Sequence, residues 1–374
     1  MKVKYKFVNY GTKAPDHVPC NEYWLDVGGS RTQNVFDHHF ADSKFLSTVA
    51  IVCADYNLLG KTCHEEVDIV LHQTPDLDGI FSSWLLVNIL QGDYPTLSKN
   101  IEELARLITL HDQGFEDEFP VEESWPVAFY TELEARTTKK EDDKVRLAVG
   151  HQVIDETVKV FEVGAASPAI VKKILSPKSV DALEVMRQGY ERDICASEKF
   201  QISLSDKHND NKSTVVDGVV FINPESGWLL KHFARRDKTN SAEGLGFILL
   251  VVSTVVGYQK SPSTQRWRHI ISVKPESSVH LKGLGEKLEH KEQEKEMQIG
   301  EPLPKGRQRL EKGAGRFGGN VSSPWYNGSG HDFTIIDSPA ITIGHKKEIS
   351  SLLTPDEVFA EIKLYSKRKK YEQK

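Results

Sequence analysis

Apolar positions in the first 115 residues alternate between short runs and helix-spaced stretches. Tyr23–Val27 (YWLDV), Val35–Phe36 and Val67–Leu71 (VDIVL) are short and end in turn or polar residues, whereas Phe45–Leu59, Ile80–Leu90 and Ile101–Leu110 carry helical spacing. Short buried strands alternating with helices of about 10–15 residues predict an α/β fold, a parallel sheet with helices on both faces. Ligands of such sheets gather at the carboxyl ends of the strands. Residues 116 to about 212 read as mostly helical and polar, a connector or cap. A second, smaller α/β unit begins near Val215: Val215–Ile222 is a strand, Trp228–Arg235 a helix, Gly246–Val256 and His269–Val273 strands, and Leu281–Leu288 opens a helix. The mixed charges of residues 286–296 (EKLEHKEQEKE) predict a solvated helix face. A stretch rich in Gly, Pro and Arg follows through Pro302–Gly319, then a glycine-rich region to Gly330. The basic run Lys367–Lys370 reads first as a solvated end and second as a nucleic-acid contact.

A length of 374 residues suggests two domains. An apolar fraction of 39% with 27% charged residues excludes a largely disordered or fibrous chain. Lys plus Arg (48) minus Asp plus Glu (54) gives −6, so no overall basic field grips long nucleic acid, although a local basic pocket stays open. Cys20, Cys53, Cys63 and Cys195 form no CxxC pair, which signals neither a disulfide framework nor a cysteine zinc site. The charged start MKVKYKFVNYG is unlike a signal peptide, and the longest apolar stretch, Phe247–Val256, is shorter than the roughly 20 residues of a membrane span. These features predict a soluble, reduced, cytoplasmic protein without membrane contact.

The strongest chemical signal is HQTPDLDG, His72 to Gly79, directly after the strand VDIVL. His72 and Asp76 can close on one cation while Asp78 turns toward a second. Oxygen ligands with imidazole suit Mn²⁺, Mg²⁺ or Fe²⁺. The plainer alternative is that Asp76 or Asp78 N-caps the helix at Ile80. Three further clusters accompany the loop: Asp37-His38-His39 after NVF, Asp26 at the end of YWLDVGG, and Asp112 after an apolar helix. Carboxylates buried together without metal would repel, and their desolvation would be prohibitive. A two-metal site explains the set economically.

DHH, HxxPDxD, an Asp at a strand end shortly before DHH, and a later Asp resemble the motif set of the DHH phosphoesterase superfamily, which includes RecJ-like exonucleases, oligoribonucleases, cyclic-dinucleotide phosphodiesterases and type II inorganic pyrophosphatases. The resemblance implies that His72 and Asp76 hold one metal, that Asp78, His38 and Asp112 hold the other, and that Asp26 bridges both. It also implies that His39 faces the scissile phosphate and that Asp37 orients a ligand from behind. In the family HxxPDxD precedes DHH; here it follows, so the order is circularly permuted, which a parallel sheet tolerates.

The resemblance divides the chain into a DHH metal-binding domain (1–115), the helical connector or cap (116–212), a region similar to the DHH-associated (DHHA1) substrate domain (213–350), and a C-terminal helix with basic tail (351–374). The substrate domain of the family ends in GGGH. Two stretches compete as its counterpart: GAGRFGGN, with Arg316, and NGSGH, with Gly328, Gly330 and His331; the second preserves the histidine. Trp325 and Tyr326 either stack on a base or pack in the ordinary way. The implied reaction is hydrolysis of a phosphate ester by water activated between two Mn²⁺ ions, with Mg²⁺ or Fe²⁺ as substitutes. No nucleophile elbow or P-loop is present. The implied substrate is a nucleotide or short single-stranded oligonucleotide, in keeping with the net charge. Two other readings stay open: a nucleotide-binding regulatory module that signals to a protein partner, and a metal-free α/β protein whose acidic clusters are caps. A homo-oligomer is also open.

Overall fold

Lys2–Val8 (KVKYKFV) alternates charged and apolar residues with the period of a half-buried strand, and Val3, Tyr5 and Phe7 pack against the first hydrophobic core. In the computed structural model the described residues are 1–39, 46–59, 64–93, 98–138, 142–161, 168–209, 211–256, 265–300, 308–309, 322–323, 325–327, 335–337 and 350–372. Among them the chain forms two compact units, Met1–Glu184 and Val185–Lys374. No described helix is long and apolar enough to cross a membrane.

The first unit holds strands β1 (Lys2–Val8), β2 (Glu22–Leu25), β3 (Arg31–Thr32), β4 (Val35–Phe36) and β5 (Glu66–His72), in the order β1-β5-β2-β4-β3. β1, β5, β2 and β4 run parallel and β3 closes the edge antiparallel to β4. The register sets Val8 beside His72 and Leu25 beside Phe36, so the residues that leave these strands emerge along one edge of the sheet. The turn after β2 depends on glycine: Gly28 lies at φ +126°, and a Cβ there would come within 2.6 Å of Val35 Cγ1.

Helices α1 (Thr48–Ala54), α2 (Tyr56–Leu59), α3 (Leu77–Gln91), α4 (Lys99–Asp112), α5 (Trp125–Arg136), α6 (Asp143–Phe161) and α7 (Pro168–Ile174) complete this unit. The predicted helix 45–59 is two pieces, interrupted at Asp55, whose carboxylate pairs with Arg31. Residues 116–184 are not a separate connector in packing: Trp125, Phe129, Leu147 and Ile154 share one core with Ile69, Leu71 and Phe81. α6 lies close against α3, because Gly150 presents no Cβ to Ile80, which would otherwise approach to 2.6 Å.

Helix α8 (Pro177–Ala196) leads into the second unit. Here β6 (Glu198–Ser205), β7 (Ser213–Ile222), α9 (Leu230–Arg236), β8 (Leu249–Val256), β9 (Arg266–Val273) and α10 (Leu284–Ile299) follow in turn. After them come β10 (Gln308–Arg309), β11 (Ser322–Ser323), β12 (Tyr326–Asn327), β13 (Ile335–Asp337) and α11 (Pro355–Glu372). One sheet has the order β12-β13-β9-β8-β7-β6, with β7 and β8 its parallel pair, and β10 and β11 pair separately. β6 lies within the stretch the pattern assigns to helix and pairs with β7 over Glu198–Ser205.

One expectation for this unit is corrected, and of the two alternatives for Trp325 the packing one holds. The charged segment 286–296 is not a solvated face, because Glu289, Glu292 and Glu296 are buried. The Glu292 carboxylate accepts from Trp325 Nε1, Ser351 Oγ and the Leu352 amide, which offset the cost of its burial. Trp325 is fully buried, stacked 5.6 Å from His269, so it packs and offers no face to a base.

His151 on α6 is half-buried between the Tyr5 ring, 5.9 Å away, and Ser83 Oγ, 2.8 Å from its Nε2. Burial holds its imidazole down at about 4. The unfolded chain, with an ordinary histidine near 6.5, therefore binds the proton first, and stability present above pH 6.5 is lost as pH falls toward 4. Between pH 7 and 5 this one group should remove on the order of 2 kcal/mol. A His151→Asn protein should lose correspondingly less over that interval in urea unfolding, and an equal loss would refute the assignment.

Candidate metal centre

Four neighbouring parallel strands deliver their next residues to the same edge: Tyr10 after β1, His72 at the end of β5, Asp26 after β2, and Asp37, His38 and His39 after β4. The two halves of DLDG add Asp76, the N-cap of α3, and Asp78 in its first turn, while Asp112 is the last residue of α4. The six expected ligands thus meet although 86 residues (112 − 26) separate the first from the last.

Asp26 sits at the middle. Its backbone is left-handed, at φ +59°, which aspartate tolerates better than most residues. Its Oδ2 lies 3.2 Å from His72 Nε2, and its Oδ1 lies 3.4 Å from both His38 Nε2 and His39 Nδ1. One carboxylate therefore faces imidazoles on two sides. Three groups have ligand atoms mutually close enough to hold a metal ion: Asp26 with His72 and Asp76, His38 with Asp78 and Asp112, and Asp26 with His38 and His39.

His38 Nε2 tests whether a cation fits. It is buried and makes no hydrogen bond among the described residues. Around it stand Asp26, Asp112 and Asp78 oxygens at 3.4, 3.5 and 3.8 Å. Ligands about 2.1 Å from one ion lie roughly 3–3.5 Å apart, the spacing of a shared coordination sphere rather than of a hydrogen bond. The donor set of carboxylates and imidazoles fits a hard or borderline divalent ion.

Charge tells the same story. Burial works against ionisation of Asp26, yet the imidazoles of His38, His72 and His39 outweigh it and hold its carboxyl below the usual carboxylate range. Burial, then the negative charge of Asp26, pushes Asp78 up to about 7, and burial with Asp78, Asp76 and Asp26 pushes Asp112 far up as well. Asp112 also stands at a helix C-terminus, where the dipole disfavours an anion and favours a cation. Burial disfavours the charge of His72, but Asp26 and Asp76 raise it to about 9.

Capping contacts and close approach to the imidazoles coexist in these carboxylates. One oxygen of Asp76 caps α3 at the Gly79 amide, 3.1 Å away, and the other faces His72 at 3.9 Å. The Asp78 carboxylate accepts the Thr48 and Val49 amides at 2.6 and 2.8 Å, so it also fastens the start of α1. Asp37 accepts from Gly29 N at 2.6 Å and lies 2.8 Å from His39 Nδ1, tying the turn after β2 to the more open imidazole. Arg316, Gly328, Gly330 and His331 lie outside the described residues.

Three residues at the rim carried no motif. Tyr10 sets its ring edge-on to His39 and His72, with centroids at 5.3 and 5.6 Å. The period-two run of β1 could have located it. Tyr130 of α5 accepts the Leu77 amide at 3.0 Å and packs beside His111. Arg146 of α6 donates from Nε to the Pro75 carbonyl at 3.2 Å. No periodicity marks either of these two.

Protons held by His72, Asp112 and Asp78 must leave before a cation binds. Mn²⁺ affinity should therefore rise through pH 6–9 by about tenfold per pH unit for each proton displaced. Calorimetry in buffers of different ionisation enthalpy should register proton release at pH 7; an affinity independent of pH would contradict this charge arrangement.

No protein-family model, curated protein or solved structure matches this chain, so the likeness to DHH phosphoesterases rests on the motif residues themselves.

Proposed function

We propose that the chain is a metal-dependent phosphoesterase that hydrolyses a phosphodiester of a short oligonucleotide or a cyclic or linear dinucleotide. The observation that carries this reading is the buried His38 Nε2, without a hydrogen bond among the described residues and ringed by three carboxylates. Its companions support a pair of ions, with His72 and Asp76 on one side, His38, Asp78 and Asp112 on the other, and Asp26 turned to both. Divalent cations there, Mn²⁺ first and Mg²⁺ or Fe²⁺ as substitutes, would acidify water and neutralise phosphoryl charge.

The side chains of the chain do the rest. Asp26, His72, Asp76, Asp78, His38 and Asp112 would hold the ions. His39, open to solvent on one side and fixed by Asp37 through Nδ1, keeps Nε2 for a phosphate oxygen. Burial works against its charge, but Asp37 and Asp26 raise its pKa, which favours a donor there. The net charge of −6 fits a short substrate held locally rather than a long duplex.

Turnover with Mn²⁺ against a short RNA, a short DNA, cyclic dinucleotides and pyrophosphate tests the proposal. Excess EDTA should abolish activity and Mn²⁺ restore it; activity that survives chelation sinks the mechanism. His38→Ala and Asp112→Asn should each reduce turnover more than tenfold, above about 1.4 kcal/mol in barrier. Asp78→Asn should do the same and also lower the melting temperature, because the start of α1 loses charged acceptors. Stoichiometric retention of nucleotide with no product would instead identify a binding module.

A further inference from the structure

The first unit contains four arginines: Arg31, Arg106, Arg136 and Arg146. Three are neutralised. Arg31 pairs with Asp55, Arg106 with Glu103 and Glu118, and Arg136 with Glu132 and Glu156. Arg146 differs. Its Nε is fixed on the Pro75 carbonyl, but its two terminal nitrogens have neither a hydrogen-bond nor an ion-pair partner among the described residues. The nearest acid along its own helix, Asp143 three residues earlier, is used elsewhere: its Oδ1 accepts the Thr74 amide at 2.9 Å.

The position of this cation is what makes it informative. Pro75 immediately precedes Asp76, and the guanidinium is near enough to Tyr130, whose hydroxyl accepts the Leu77 amide, to act electrostatically on it together with Asp76 and Asp112. A half-buried guanidinium is thus anchored at the rim of a centre that gathers four carboxylates, yet it neutralises none of them through an ion pair. Thr74, the first of the two anchored positions, is held at φ +54°, unfavourable for a β-branched residue. The contacts of α6 therefore fix both the loop and the guanidinium. A guanidinium with Nε engaged and both terminal groups open presents two parallel donors, the fork that fits two oxygens of a phosphate.

We propose that Arg146 is a substrate-binding residue that grips a phosphate group of the substrate on the Asp76 side of the centre. The proposal rests on the phosphoesterase reading and adds to it the positive charge that the metal ligands lack. The anion held is a phosphate oxygen pair, and a Lys at this position would supply charge without the fork.

The test titrates inorganic phosphate into Mn²⁺-loaded wild-type, Arg146→Gln, Arg146→Ala and Arg146→Lys proteins, with Mn²⁺ stoichiometry measured on each. Loss of the charged fork should weaken phosphate binding about ten- to a hundredfold in the Gln and Ala variants and less in the Lys variant, with Mn²⁺ content unchanged. Phosphate affinity unchanged at unchanged Mn²⁺ content overturns the proposal and leaves the metal reading standing. Parallel loss of Mn²⁺ in the Gln and Ala variants, with Arg146→Lys binding phosphate no better than Arg146→Gln, reduces Arg146 to a loop anchor and also overturns it. A wild-type protein that takes up no Mn²⁺ overturns the metal reading. The proposal is then decided by phosphate titration of metal-free wild-type and Arg146→Gln proteins, where equal affinities overturn it.

Discussion

Four aspartates brought to one sheet edge repel one another, and burial makes each harder to ionise. Without a cation this unit can keep them only by protonating some: Asp26 stays ionised among three imidazoles, while Asp78 and Asp112 are driven toward the neutral acid. Divalent charge reverses that balance, since it repays the desolvation of several carboxylates at once. The rest of the first unit can be understood as the scaffold that holds these groups against their own repulsion. Asp78 is pinned by two amides of α1, Asp37 by Gly29, and Asp76 by the first turn of α3.

A parallel sheet is suited to this task because every strand ends on the same side. Adjacent strands lie about 4.8 Å apart, so residues leaving neighbouring strands are within reach of a shared ion. The order β1-β5-β2-β4 sets Tyr10, His72, Asp26 and the DHH tripeptide side by side. Which strand comes first in the chain does not enter that geometry. A permuted motif order therefore changes the loops and not the juxtaposition, and α4 and α6 reach the same rim from outside the sheet with Asp112 and Arg146.

Much of this was legible in the residues. His72, Asp76, Asp78, Asp26, His38 and Asp112 stood out because charged residues at the ends of apolar runs are costly unless they serve a ligand, and the runs themselves marked β2, β4 and β5. β1 escaped notice because its lysines mask a regular alternation, and with it Tyr10. Arg146 was invisible for a different reason. Its role depends on α6 lying beside α3 through the Gly150–Ile80 contact, a long-range packing fact with no local signature. The charged run 286–296 misled in the opposite direction: composition alone cannot reveal that Glu292 finds three donors contributed by Trp325, Ser351 and Leu352. The glycine-rich stretches with Arg316 and His331 lie outside the described residues.

Glu292 and His38 together separate a structural buried polar group from one that awaits a ligand. Both lie in protected surroundings, and burial raises the pKa of Glu292 as it does those of Asp78 and Asp112. Glu292 is answered by an indole N–H, a hydroxyl and an amide, neutral donors already in place, so its pocket is complete and has no use for a cation. His38 Nε2 is surrounded by acceptors at 3.4–3.8 Å and hydrogen-bonds to none of them. A buried nitrogen left among carboxylates at coordination spacing is costly in a folded chain unless something positively charged occupies the space between. The terminal nitrogens of Arg146, without a partner among the described residues, pose the complementary question from the rim, a fixed cation without an anion. The proposed phosphate ester, drawn to divalent ions, would answer both.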